Sequence, residues 1–135
     1  MNTMFEIEPL KKVGEITYGM SRIDVRKILG APLSEFKKSR QSVNTTDNYG
    51  DFHVFYDLNN LCEAVELFGG CTASSNGAIL FPSSKDSFVG WVRSMDVNCE
   101  ITEYDLTSVK LSIGASFEGE RVACVLFAKE GYYAD

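Results

Sequence analysis

The side chains able to do chemistry are few and loosely grouped. The only imidazole is His53. It stands in Asp51-Phe52-His53-Val54-Phe55-Tyr56-Asp57, a run of strand-forming aromatics. Nucleophilic catalysis needs a nucleophile with a base beside it, and a histidine in such a run reads as a half-buried structural residue. No G-x-S-x-G, G-x-G-x-x-G or phosphate-loop pattern occurs. Asp57, Glu63, Glu66, Glu100, Glu103 and Asp105 offer carboxylates for acid–base work, but such groups usually decorate solvated faces. Cys62, Cys71, Cys99 and Cys124 are far apart, whereas zinc asks for close pairs such as C-x-x-C. The sequence predicts no enzyme, no metal and no cofactor. Cys62 and Cys124 fall in apolar runs, where a reduced thiol packs as a small hydrophobe, so four free thiols are expected. Met1 to Leu10 contains Glu6 and Glu8 and no apolar run, so no signal peptide is read there and a cytoplasmic location is expected. No stretch approaches the roughly 20 apolar residues of a membrane span.

The elements that must position these groups are better marked. In Gly19-Met20-Ser21-Arg22-Ile23-Asp24-Val25-Arg26-Lys27-Ile28-Leu29-Gly30-Ala31-Pro32, Ser21 can cap a helix and Asp24 sits three residues on. Gly30 supplies the exit, and Pro32 forbids continuation. Leu33 to Asp47 reads as a short strand or turn followed by a mobile loop. Asp51 to Asp57 and Leu61 to Phe68 form a β-hairpin around Asn59-Asn60, which tolerates the positive φ of a tight turn. Phe5 and Ile7 alternate with Glu6 and Glu8, the pattern of a short edge strand ended by Pro9. Cys71 to Gly77 reads as a connecting loop, and Ala78 to Phe81 as a strand. Ser83, with Asp86 three residues on, predicts the cap of a second helix carrying Phe88, Trp91, Val92 and Met95. Ile101 to Tyr104, Ser108 to Phe117 and Arg121 to Ala128 read as strands.

The order strand, Ser-x-x-Asp helix, loop, hairpin occurs twice. The chain therefore reads as one domain, residues 1–135, of two weakly similar helix–hairpin units at about residues 16–70 and 79–133. The expected class is α+β: an antiparallel sheet of about six or seven strands with two short helices packed on one face. The hairpin from Phe52 to Phe68 is expected to be central.

Net charge is −6 and unevenly spread. Residues 1–45 hold eight Lys or Arg against five Asp or Glu, while residues 46–135 hold five against fourteen. An acidic body argues against nucleic acid, which phosphate makes repulsive. It suits a basic protein partner, because complementary fields speed encounter.

The run G-M-S-x-x-D-V-x-x-x-L-G-x-P, followed by the aromatic hairpin ending Ala64-Val65-Glu66-Leu67-Phe68, resembles small cytoplasmic immunity proteins of bacterial contact-dependent and polymorphic toxin systems. The helix–hairpin unit is also similar to the repeat of beta-lactamase inhibitor proteins and of small outer-membrane-assembly lipoproteins. The first resemblance implies a toxin-binding surface and no catalysis. The partner expected from it is a cognate toxin domain, with a nuclease's basic cleft as the model, and neither nucleic acid nor membrane. The acidic, tyrosine-bearing contact surface is placed at Asp47, Tyr49, Asp51, Asp57, Glu63 and Glu66 around the hairpin. Glu100, Glu103, Tyr104 and Asp105 extend it before the last strands. The basic loop with Lys37, Lys38 and Arg40 is the next surface. The alternative is a small ligand-binding domain or enzyme whose site matches no motif.

Overall fold

The computed structural model describes residues 3–134. In chain order these residues form β1 (Thr3–Glu8), β2 (Lys12–Val13), β3 (Ile16–Thr17), α1 (Arg22–Leu29), β4 (Ser34–Phe36), β5 (Thr46–Asn48) and β6 (Phe52–Tyr56). There follow β7 (Cys62–Leu67), β8 (Cys71–Ser75), β9 (Ala78–Phe81), α2 (Lys85–Arg93), β10 (Glu100–Ile101), β11 (Asp105–Ser108), β12 (Ile113–Glu118) and β13 (Arg121–Ala128). The class is α+β, but the single sheet of six or seven strands is corrected. Thirteen strands make two sheets, one of five in the order β3-β2-β1-β8-β9 and one of eight in the order β10-β11-β12-β13-β7-β6-β5-β4.

The eight-stranded sheet consists of two four-strand meanders, β4 to β7 and β10 to β13, each preceded by a helix. They join where β7 pairs antiparallel with β13, Val65 opposite Phe127 and Leu67 opposite Val125. The hairpin β6–β7 lies inside this sheet, as its aromatic and β-branched content predicts.

Residues opposite each other in a ladder share a face. Val54, Val65, Phe127 and Ile113 follow one another across four strands and are all buried. They belong to one core that also takes Val25 of α1, Phe88 and Val92 of α2, and Phe5, Ile7, Ala73 and Leu80 of the smaller sheet. Both helices and the five-stranded sheet therefore lie over the same face of the larger sheet.

Local chemistry explains the element ends. The Asp24 N–H donates to Ser21 Oγ at 3.2 Å, so α1 starts where the sequence places it. The cap of α2 is Ser84 rather than Ser83, with the Ser87 N–H donating to its Oγ at 3.1 Å. Ser83 is occupied elsewhere: its hydroxyl donates to the Leu80 carbonyl at 2.7 Å and its carbonyl accepts from the Val122 N–H. The strand expected over Ser108 to Phe117 is broken. Ser112 takes a φ of 52° and turns β11 into β12, leaving Val109 exposed.

Two further expectations are corrected. β1 is no edge: it pairs antiparallel with β2 and parallel with β8. The loop expected at Cys71 to Gly77 is β8, whose Cys71, Ala73 and Ser75 turn inward beside Phe5. Small residues fit there because the Phe5 ring fills the space, meeting Phe52 edge-on at 5.1 Å.

Candidate protein interface

The second face of the eight-stranded sheet has no helix or strand of the described residues packed on it. Its central residues, Phe55, Ala64 and Ala128, form a separate small cluster with Leu126 and Tyr132. Lys38, from the chain beyond β4, and the C-terminal Tyr132 and Tyr133 lie over it. This open face divides into two unlike halves.

One half is aromatic. The His53 ring stands 4.6 Å from Phe68, 4.9 Å from Phe36 and 6.4 Å from Phe55, all edge-to-face. Burial among these rings lowers the His53 pKa, because the imidazolium loses hydration there. No hydrogen bond reaches its ring among the described residues. Lys38 closes the cluster. Its ammonium sits 4.6 Å over the Phe55 ring, donates to the Tyr132 hydroxyl at 3.2 Å, and lies 3.8 Å from Glu63.

The other half is acidic. Register puts Glu66, Leu126, Gly114 and Thr107 in line across β7, β13, β12 and β11, with Glu100 opposite Thr107 and Asp105 opposite Ser116. A shallow depression there is lined by Glu66, Asp105, Thr107, Ser116, Cys124 and Tyr133. Burial raises the Glu66 pKa, partly offset by the distant Lys38 charge. Cys124 Sγ lies 2.9 Å from Ser116 Oγ. Burial, with Tyr132, Glu66 and Cys124 nearby, pushes the Tyr133 hydroxyl up to about 12. Its ring runs so close over β12 that a Cβ on Gly114 would overlap the hydroxyl, so any larger residue there must displace the Tyr133 side chain.

Of the ten acidic and tyrosine residues expected at the contact surface, Glu63, Glu66, Glu100 and Asp105 share this face. Asp51 and Asp57 stand at opposite ends of the β6–β7 hairpin. Asp57 organises the turn, accepting from the Asn59 and Leu61 N–H groups and lying 3.4 Å from Lys129. Glu103 and Tyr104 occupy the β10–β11 turn, where Tyr104 is 69% exposed. Tyr49 belongs to the other side, stacked on Phe52 at 5.0 Å and donating to the Gly30 carbonyl at 2.9 Å.

Asp47 is corrected outright as a surface contact, since it is 0% exposed. Arg26 grips it in a fork, Nη2 to Oδ1 at 2.6 Å and Nε to Oδ2 at 3.0 Å. The Tyr56 hydroxyl donates to Oδ2 at 2.9 Å, and Arg22 lies 3.6 Å away. Arg22 also donates to the Thr45 carbonyl and stacks over the Tyr56 ring at 4.1 Å. The cluster ties α1 to the edge strand β4 and its neighbour β5, because Glu35 of β4 pairs with Arg26 at 3.3 Å and Asp47 lies on β5.

Sequence reasoning missed the aromatic half: Phe36, His53, Phe55, Phe68, Tyr132 and Tyr133 were read only as strand or tail residues. The signal lay in the two-residue spacing of His53 and Phe55, once a face is assigned to them.

The four cysteines are unpaired. No group of three or more His, Cys, Asp or Glu among the described residues is placed to hold a metal ion. Among the described residues no helix is long and apolar enough to cross a membrane. Compared with family models, curated proteins and solved structures, the chain matches none.

Proposed function

We propose that this protein is a stoichiometric inhibitor, an immunity protein that binds and neutralises a basic toxin domain inside the cell that makes both. The observation that carries the reading is the uncovered face of the eight-stranded sheet, which presents aromatic rings beside carboxylates. Aromatic residues are favoured interface anchors, and an acidic field steers a basic partner. The alternative of an enzyme or ligand-binding domain, which a deep pocket beside His53 with converging carboxylates would favour, has less support: the rings of Phe36, Phe55 and Phe68 surround the imidazole, and Glu66 is the single carboxylate residue opposite it in the ladder. The test is co-expression with the product of the adjacent gene, which the reading expects to carry a toxin domain. A one-to-one complex that survives purification and protects cells is expected. A toxin that stays active and unbound in the presence of excess protein would overturn the reading.

A further inference from the structure

We infer that the open face reads its partner through two subsites: the aromatic half seats an aliphatic or aromatic side chain, and the acidic half receives a lysine or arginine of the same partner. The inference rests on the binding role proposed above and specifies the chemistry of what binds.

Charge complementarity names the occupant. Lys38 is the basic side chain that reaches the middle of this face, and it is already engaged by Glu63, Tyr132 and the Phe55 ring. Lys129 is held at the rim by Asp57, and Arg121 lies opposite Glu118 at the β12–β13 turn. Glu66, Glu100 and Asp105 have no ion-pair partner among the described residues. Asp105 accepts from the Thr102 hydroxyl at 2.9 Å, and Glu66 has Cys124 Sγ at 3.9 Å. The acidic half thus has unspent negative charge: Glu66 is half-buried, where an incoming cation is attracted more strongly than in open water, and Glu100 and Asp105 are exposed beside it.

The aromatic half has the opposite character. Lys38 masks its charged neighbour Glu63, and edge-to-face rings present apolar area that needs no charge. Between the halves stand Tyr132 and Tyr133, which meet edge-on at 5.2 Å. Strand geometry fixes the separation. Phe55 on β6 and Asp105 on β11 are four strand spacings apart, about 19 Å at ~4.8 Å per spacing. Phe55 is in line with Ala128 and Asp105 with Cys124, so they are also offset by about 13 Å along the strands, about 23 Å in all. An extended segment covers that span in about seven residues.

The test uses the full chain labelled with nitrogen-15 and three synthetic peptides. The first carries a tryptophan and a lysine seven positions apart on a Gly-Ser backbone. The second replaces the lysine with glutamate, and the third replaces the tryptophan with serine. The first peptide is expected to shift the amides of His53 and Phe55 together with those of Glu66, Asp105, Thr107 and Cys124. The glutamate peptide should lose the second group of shifts, and the serine peptide the first. Glu66→Gln combined with Asp105→Asn should weaken the first peptide at least fivefold and leave the shifts at Phe55, which lies opposite Ala64 rather than Glu66. Phe36→Ala should do the reverse. Dispersion of the variants' spectra checks that they fold.

Equal response to the lysine and glutamate peptides overturns the inference. So does a response on α1 or the smaller sheet, or no response at millimolar peptide. The two readings fail separately. A toxin complex that leaves these amides unshifted removes the subsites and keeps the inhibitor. Peptide binding here, with no toxin complex, removes the inhibitor and keeps the subsites.

Discussion

Removing the Asp47 carboxylate leaves Arg22 and Arg26 turned toward a buried space with no anion. An ion pair broken by deleting one buried partner destabilises by about 3–5 kcal/mol. Asp47→Ala should lower the unfolding free energy by about that amount in urea titrations. Arg26→Lys keeps the charge and loses the fork, so a smaller loss of about 1.5 kcal/mol is expected. Equal losses for the two variants would show that the fork geometry contributes nothing. Glu66 has the opposite sign. Its folded pKa is raised above the ordinary 4.5 by burial, so protonation favours the folded state. That contribution is fully present below the ordinary value and is lost as pH rises through the raised one. Glu66→Gln mimics the protonated form at every pH. It should match the parent in acid and exceed it in stability at neutral pH; the same difference at both pH values would refute this. A carboxylate that weakens the fold at neutral pH is the kind of group a binding surface retains. Gly114→Ala forces the Tyr133 ring off β12. Its titration, pushed up to about 12 by burial, should fall toward that of an exposed tyrosine in the difference between variant and parent ultraviolet titrations.

Helix starts test how local chemistry sets the elements. Ser84→Ala removes the acceptor for the Ser87 N–H, and a loss of about 1 kcal/mol is expected from thermal unfolding. The start of α1 was legible because one serine stands before the apolar stripe. The start of α2 was misread by one residue because two serines stand together. The deciding contacts, Ser83 to Leu80 and to Val122, join it to strands before and after the helix. Strands built on branched aliphatic and aromatic residues, such as β6, β9 and β13, were legible from side-chain type. β8 was not, because Cys71, Ala73 and Ser75 carry no strand signal of their own: Cys71 and Ala73 pair with β1, which is distant in sequence, and Ser75 with β9. β5 was hidden for another reason: Asp47 reads as a loop residue until two arginines from α1 neutralise it. At the interface, the acids were legible by type, but their grouping was not. Irregularities between Phe55 and Tyr56 and between Ser116 and Phe117 reset which residues face which side. No strict alternation along the sequence carries that shift.

Two helix-plus-meander units share the eight-stranded sheet and, together with the five-stranded sheet, one core. Val25 of the first unit and Phe88 and Val92 of the second lie in the same buried cluster, and β7 meets β13 through four residue pairs, Ala64–Ala128 to Leu67–Val125. A core that crosses the boundary between units couples their unfolding, so a single transition is expected. Trp91, the only tryptophan, lies on α2 and reports the second unit, whereas far-ultraviolet circular dichroism reports both. Their urea midpoints should coincide. Val65→Pro sharpens the test, since β7 is paired on both sides, with Val54 and with Phe127. A proline there deletes a ladder hydrogen bond in an interior strand and should destabilise by about 3 kcal/mol or more. Although Val65 belongs to the first unit, the Trp91 transition should move to lower urea by the same amount as the dichroism. If Trp91 kept its midpoint while the dichroism shifted, the units would unfold independently. The open face, which draws His53 and Phe55 from one unit and Asp105 from the other, would then lack the rigid frame that holds its two halves at a fixed spacing.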